Sequence, residues 1–317
     1  VSHTDILYKQ LVTEIIEAGD IHENRTGVPT RRLWGHMTKF DLANDGFPLL
    51  TQKKMAVKTA FVEMLGFCRG ETNVDWYETH GCKIWSADHA RWHGKDVERD
   101  QKRLFDIGVS AAETGGLSPA LVAEHGRLTE SLEWRRFNPR SLGRIYGAQW
   151  RNFGERHEGF DQLKDIIDQL KAGSNSRRLI VSAWAPHETH MMALPPCHIA
   201  YHFVRRGLYV DVAMWQRSCD TALGVPFNWA TTALLCHLVG HATGLKPGKM
   251  VWFGDDVHIY EPHVENFKQQ FQQKAYQAPG LWIHAPPGAM PWEVDFEHIE
   301  LQNYQCSEKV PFELFVG

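Results

Sequence analysis

Residues 194–220 read LPPCHIAYHFVRRGLYVDVAMWQRSCD, and the fold class turns on how they are read. Branched and aromatic residues fill His198–Val204 and Leu208–Met214, and Arg206-Gly207 lies between them. The stretch therefore predicts two strands joined by a tight turn. Upstream, Leu179–Trp184 reads as a strand, and DQLKDIIDQLKAG as a helix with Leu163, Ile166, Ile167 and Leu170 as its stripe and Gly173 as its stop. Downstream, Phe227–Thr243 is apolar nearly all round, which predicts a central helix. Val251–Phe253 and Ile299–Tyr304 read as further strands. Toward the N-terminus, residues 4–18 form a helical pattern that Thr4 or Asp5 could cap, and Leu33–Phe40 alternates as a strand. Residues 55–69 predict a buried helix carrying one acid, Glu63. From about 88 to 140 the apolar periodicity weakens and charges crowd, with one short helical pattern opening at Ser118-Pro119. This reads as a surface insertion in a single α+β domain spanning 1–317.

Composition narrows the class. The 317 residues are 43% hydrophobic and 23% charged, too varied for disorder or a coiled coil. Lys plus Arg number 34 against 38 Asp plus Glu, so a net charge of -4 gives no electrostatic argument for nucleic acid. The apolar runs fall short of the roughly 20 residues a membrane span needs. The start VSHTDILYKQ lacks a signal-peptide pattern, so the expected compartment is the cytoplasm, or the host's if the source is a virus. The cysteines (Cys68, Cys82, Cys197, Cys219, Cys236, Cys306) form no CxxC pair, and no disulfide framework is expected.

Among them Cys197 is the candidate nucleophile. Pro195 and Pro196 hold the backbone extended before it, which suits a thiol presented into a cleft, although a buried strand cysteine fits the same segment. Arg217 and Ser218 stand at a strand end as charge-assisted donors for a phosphate. Arg25 lies in a Gly-containing loop and Arg177-Arg178 precede a strand; each also reads as an ordinary surface charge. Asn228 opens the central helix as an N-cap or as an amide that reads a planar base. His237 and His241 lie four apart without the glutamate of a zinc-protease motif, so no metal is expected.

Taken together, NRTG, LGRIYGAQW, SRRLIVSAW, LPPCH, QRSCD, LGVPFN and DVHIY, in this order, resemble the thymidylate synthase family from about Asp5 to Val316. The resemblance implies a homodimer, with a sheet face as its interface, that transfers a one-carbon unit from 5,10-methylenetetrahydrofolate to C5 of dUMP. Cys197 would add to C6 of the pyrimidine. Arg25, Arg217 and Ser218 match the phosphate ligands, and Arg177 and Arg178 the pair supplied across the interface. Asn228 matches the base-reading amide, and His258 and Tyr260 the deoxyribose ligands. Glu63, Tyr146 and His198 match the polar network around O4. Trp85 and Asp220 match folate contacts, Lys53 could meet the folate's glutamate tail, and Val316 belongs to the closing tail.

The chain departs from the family pattern at Gly66, His202, Trp229, Asp255 and the Phe315–Gly317 tail. That tail bears on one step. Hydride transfer to an exocyclic methylene gives dTMP, whereas water attack gives 5-hydroxymethyl-dUMP, so reductive methylation is the first reading and a deoxyuridylate hydroxymethylase the second. An idle nucleotide- or RNA-binding relative is a third.

Overall fold

The computed structural model describes residues 1–154 and 158–315. From the N-terminus the chain forms α1 (His3–Ala18), β1 (Asp20–His22), β2 (Thr30–Asp41), α2 (Val57–Arg69), α3 (Val74–Thr79), α4 (Ser86–His93), α5 (Lys95–Thr114) and α6 (Pro119–Phe137). There follow α7 (Tyr146–Arg151), α8 (Gln162–Lys171), β3 (Ile180–Ser182), β4 (His198–Arg206), β5 (Tyr209–Asp220), α9 (Val225–Thr243), β6 (Lys246–Tyr260), α10 (Val264–Gln272), β7 (Gly280–Ile283) and β8 (Ile299–Gln302). Contacts divide the chain into two units, one of Val1–Leu65, Gln162–Ser182 and Cys197–Gly317, the other of Gly66–Asp161 and Ala183–Pro196. Among the described residues no helix is long and apolar enough to cross a membrane.

The first unit is built on a six-stranded sheet of order β1-β2-β6-β5-β4-β3. The predicted hairpin is β4–β5, turning at Gly207, whose φ of 62° suits a residue without Cβ. Every neighbouring pair is antiparallel except β5–β6. A parallel pair needs a crossover, and α9 supplies it. The inward residues Val212, Met214, Met250, Trp252, Tyr201 and Phe203 are buried, and Trp229 of α9 packs edge-on against Trp252 at 5.6 Å. On the opposite face, register aligns Ser182, Ala200, Trp215, Phe253 and Met37 in one cross-strand row. Ile180, His202, Ala213, Val251 and Lys39 form the next row. Trp215 and Phe253 stack at 5.1 Å there.

Three local expectations are corrected. Ser2, not Thr4 or Asp5, caps α1, its hydroxyl accepting from Thr4 N–H, while Asp5 is buried and accepts from Thr51 N–H and Oγ1–H. Gly224 occupies the N-cap of α9, which places Asn228 inside the first helical turns. The weakly periodic 88–140 region, in the second unit, holds two long helices, α5 and α6. The buried α5 positions are Asp96, Asp100 and Ile107, so carboxylates interrupt its apolar stripe. Arg135 of α6 meets Asp100, donating to its Oδ2 at 2.6 Å and also to Trp92 O at 2.9 Å.

Candidate active site

Ser218, Asp220, His258 and Tyr260 stand where β5 and β6, running parallel, both end. Register pairs Ser218 with Asp256 and Asp220 with His258. Ligand sites lie at the carboxyl ends of parallel strands because neighbouring chains leave the sheet there. Asp220 Oδ1 accepts from Ala222 N–H at 2.9 Å and Leu223 N–H at 3.2 Å, which forms the turn into α9. His258 Nδ1 lies 3.2 Å from Asp256 Oδ1, and Arg32 donates to the other oxygen at 3.1 Å. The His258 hydrogen bond and Arg32 hold Asp256 below the usual carboxylate range. Tyr260 packs edge-on to His258 at 5.7 Å. Burial and Asp220 raise the Tyr260 phenol, while a hydrogen bond to Thr26 and the charge of Arg25 oppose them. Asn24 shapes the Arg25 loop, its Oδ1 accepting from Thr26 N–H and Oγ1–H and its Nδ2 donating to Val28 O.

Asn228 is held by a residue to which the sequence pattern assigns no role. Trp252 Nε1–H donates to Gln216 Oε1 at 3.0 Å. Gln216 Nε2 donates to Ser218 O at 2.9 Å and to Asn228 Oδ1 at 2.9 Å. An indole N–H only donates and a carbonyl only accepts, so these two partners fix which way the Gln216 amide points. Gln216 in turn fixes Asn228. The signal in the sequence is alternation: Gln216 follows inward Val212 and Met214 at the strand period, and a buried amide demands partners.

Cys197 is partly exposed at the head of β4, and its carbonyl accepts from Arg217 N–H at 2.8 Å. His198 beside it is buried, which pushes its imidazole down to about 3, and its Nδ1 shares a hydrogen bond with the Tyr201 hydroxyl at 2.9 Å. A neutral ring there serves in a hydrogen-bond network, not as a counter-ion. Glu63 is partly exposed on α2, between Phe61, Val62, Met64 and Leu65, all buried. Arg177 and Arg178 are exposed just before β3, at the sheet edge.

Lys53 is not on the surface. It is 4% exposed, donates to Ala222 O at 2.7 Å, and sits 4.7 Å from the centre of the Phe312 ring. Burial lowers its ammonium to about 8, with Asp220 opposing the shift. Val316 lies outside the described residues.

In the second unit Tyr146 stacks on Phe67 at 4.5 Å, and Trp85 lies edge-on to both at 6.2 Å. Trp85 is 3% exposed, and its buried indole N–H has no acceptor among the described residues. Among the described residues there is also no grouping of three or more His, Cys, Asp or Glu placed to hold a metal.

The family model described as thymidylate synthase matches residues 6–316. The chain belongs to the thymidylate synthase family. Its reaction class is therefore folate-dependent one-carbon transfer to dUMP, with methylenetetrahydrofolate as cosubstrate. Against the thymidylate synthase pattern, two departures have a local cause. A Cβ at Gly66 would come 2.4 Å from the Tyr77 ring, which is buried and occupies that space. Trp229 is fully buried against Phe40 at 5.0 Å and Tyr8 at 6.0 Å, on the core side of α9. His202 lies in the outer sheet row with Nε2 buried and unbonded among the described residues. Asp255 lies in β6 between Gly254 and Asp256, whose strand partners are Gln216 and Ser218.

Proposed function

We propose that this chain is a homodimeric enzyme that reductively methylates dUMP to dTMP. Cys197 is assigned as the nucleophile. Its sulfur adds to C6 of the pyrimidine, C5 takes the methylene carbon from the folate, and loss of the C5 proton expels tetrahydrofolate from an exocyclic methylene. Hydride from tetrahydrofolate then makes the methyl group, leaving dihydrofolate, and the sulfur departs. Arg25, Arg217 and Ser218 are assigned to the phosphate, with Arg177 and Arg178 coming from the partner subunit. The partly exposed outer sheet rows through Ala213, Val251, Trp215 and Phe253 are the proposed dimer face. His258 and Tyr260 are assigned to the sugar, and Glu63, Tyr146 and His198 to the proton network at O4. Trp85 and Asp220 are assigned to the folate.

Asn228 supports dUMP over dCMP. With Oδ1 shared with Gln216, the Nδ2 donors are left to face a base, which suits the O4 acceptor of uracil and opposes the N4 amino group of cytosine.

The observation that carries methylation over hydroxymethylation is the seating of residues 310–315. Phe315 packs on Tyr260 at 4.9 Å and on His263 at 5.3 Å, an aromatic cover beside the proposed sugar ligand. Hydride transfer depends on such exclusion of water. The test is to supply dUMP and methylenetetrahydrofolate, follow dihydrofolate by absorbance and weigh the nucleotide product. Dihydrofolate and dTMP appearing one for one is the expected result. A product heavier by one oxygen, with tetrahydrofolate released unoxidised, would make the chain a hydroxymethylase.

A further inference from the structure

We propose that Lys53, His263 and Phe312 form a clasp that seats residues 310–315 against Tyr260, which makes Lys53 a positioning residue for that segment. Ordering a lysine side chain is entropically costly, and burying its charge costs more. Lys53 accepts both, so what surrounds it must compensate. Its ammonium donates to Ala222 O at 2.7 Å and stands over Phe312 at 4.7 Å, an attraction that strengthens when water is excluded.

The same ring is held from two further sides. Phe312 lies edge-on to His263 at 5.2 Å and against Phe267 at 4.9 Å. His263 Nε2–H donates to Glu313 O at 2.9 Å, and Asn266 Nδ2 donates to Pro311 O. The segment is thus tied by its backbone at two carbonyls and by one ring whose face carries a cation. Phe315, just beyond, then lands on Tyr260. The clasp spans residues far apart in sequence, and a Lys53 committed to it is not extended toward solvent.

This deepens the proposed reaction and rests on it for its kinetic arm only. Full-length, ligand-free protein is digested with thermolysin, which cuts before Leu and Phe, and cleavage at Leu314 and Phe315 is timed by mass spectrometry. Lys53→Met and Phe312→Leu should each speed that cleavage roughly 5- to 30-fold, the scale of a desolvated cation–π contact, while Phe312→Tyr stays near wild type. In the kinetic arm both disrupting variants should raise the KM for methylenetetrahydrofolate more than they lower kcat. Equal cleavage rates in wild type, Lys53→Met and Phe312→Leu would overturn the clasp. So would a higher folate KM in Lys53→Met with its cleavage unchanged, since that describes a folate ligand alone. A clasp that responds as expected in a protein forming no pyrimidine product would leave the clasp standing and remove the proposed reaction.

Discussion

Gln216 donates through Nε2 to Asn228 Oδ1 at 2.9 Å while its Oε1 accepts from Trp252 at 3.0 Å. The Asn228 amide is thereby oriented from behind by a buried chain of donors and acceptors. Gln216→Leu leaves Trp252 N–H and Ser218 O without their partner and frees Asn228 to rotate. A kcat/KM for dUMP about 10- to 100-fold lower is expected, with weaker discrimination against dCMP. Gln216→Glu should share the defect, since a carboxylate cannot donate to Asn228. Steady-state kinetics on both nucleotides, with retained dUMP selectivity in both variants, would refute this role.

Cys197→Ser should reduce turnover by about 1,000-fold or more, because a hydroxyl is a far weaker nucleophile, and leave dUMP binding measurable. Rapid-quench turnover and calorimetric titration of dUMP check the two halves separately. Turnover at the wild-type rate would dismiss the covalent mechanism.

Two buried histidines make the fold sensitive to acid. Burial pushes His237 down to about 4 and His198 to about 3. Each folded pKa lies below its unfolded value, so the unfolded chain binds more protons. Stability is complete above an unfolded pKa of about 6.5 and is lost as pH falls through the window toward the folded values. For His237 the loss reaches about 3 kcal/mol at pH 4. Urea midpoints measured from pH 7 to 4 should fall steadily, and His237→Leu should flatten the decline. A variant with the wild-type slope would discount this histidine.

Gly66→Ala places a Cβ against the Tyr77 ring and should destabilise by about 1–3 kcal/mol, as overpacking does. Tyr77→Leu in the same chain opens the space and should recover part of that loss. Additive shifts in the double variant would mean the two positions are uncoupled.

Arg135→Met leaves the buried Asp100 with Arg99 as its remaining partner and should cost about 1–3 kcal/mol, with Asp100→Leu added to it restoring part of the loss. Thermal unfolding of the two variants decides between this and a negligible pair.

Much of the fold was legible because burial imposes a period. The stripe of α8, the all-round apolar α9 and the β4–β5 hairpin follow from it directly. Elsewhere the period is masked. Only Val251–Phe253 reads as strand within β6, since Pro247, Gly248, Gly254 and the Asp255-Asp256 pair interrupt fifteen extended residues that neighbouring strands hold in place on both sides. Helix α5 is hidden because two of its three buried positions are the carboxylates Asp96 and Asp100, and Asp100 makes sense there only once Arg135 is known to face it. The site divides the same way. Residues that would touch ligand stand in short motifs at strand ends, whereas Gln216, His263 and Phe312 act through contacts made across distant segments. Nothing in the local pattern around Lys53 announces its burial.

The single parallel pair in the sheet has a bearing on how the protein is made. Ser218 and Asp220 meet Asp256 and His258 only after α9 has crossed over and β6 has docked, so no local hairpin can build that end of the sheet. Such long-range pairing pays its loop-closure entropy before any contact rewards it, and it forms slowly. During refolding, nucleotide-binding competence should therefore lag behind secondary structure, and a ribosome must release well past Tyr260 before a nascent chain can recognise its substrate.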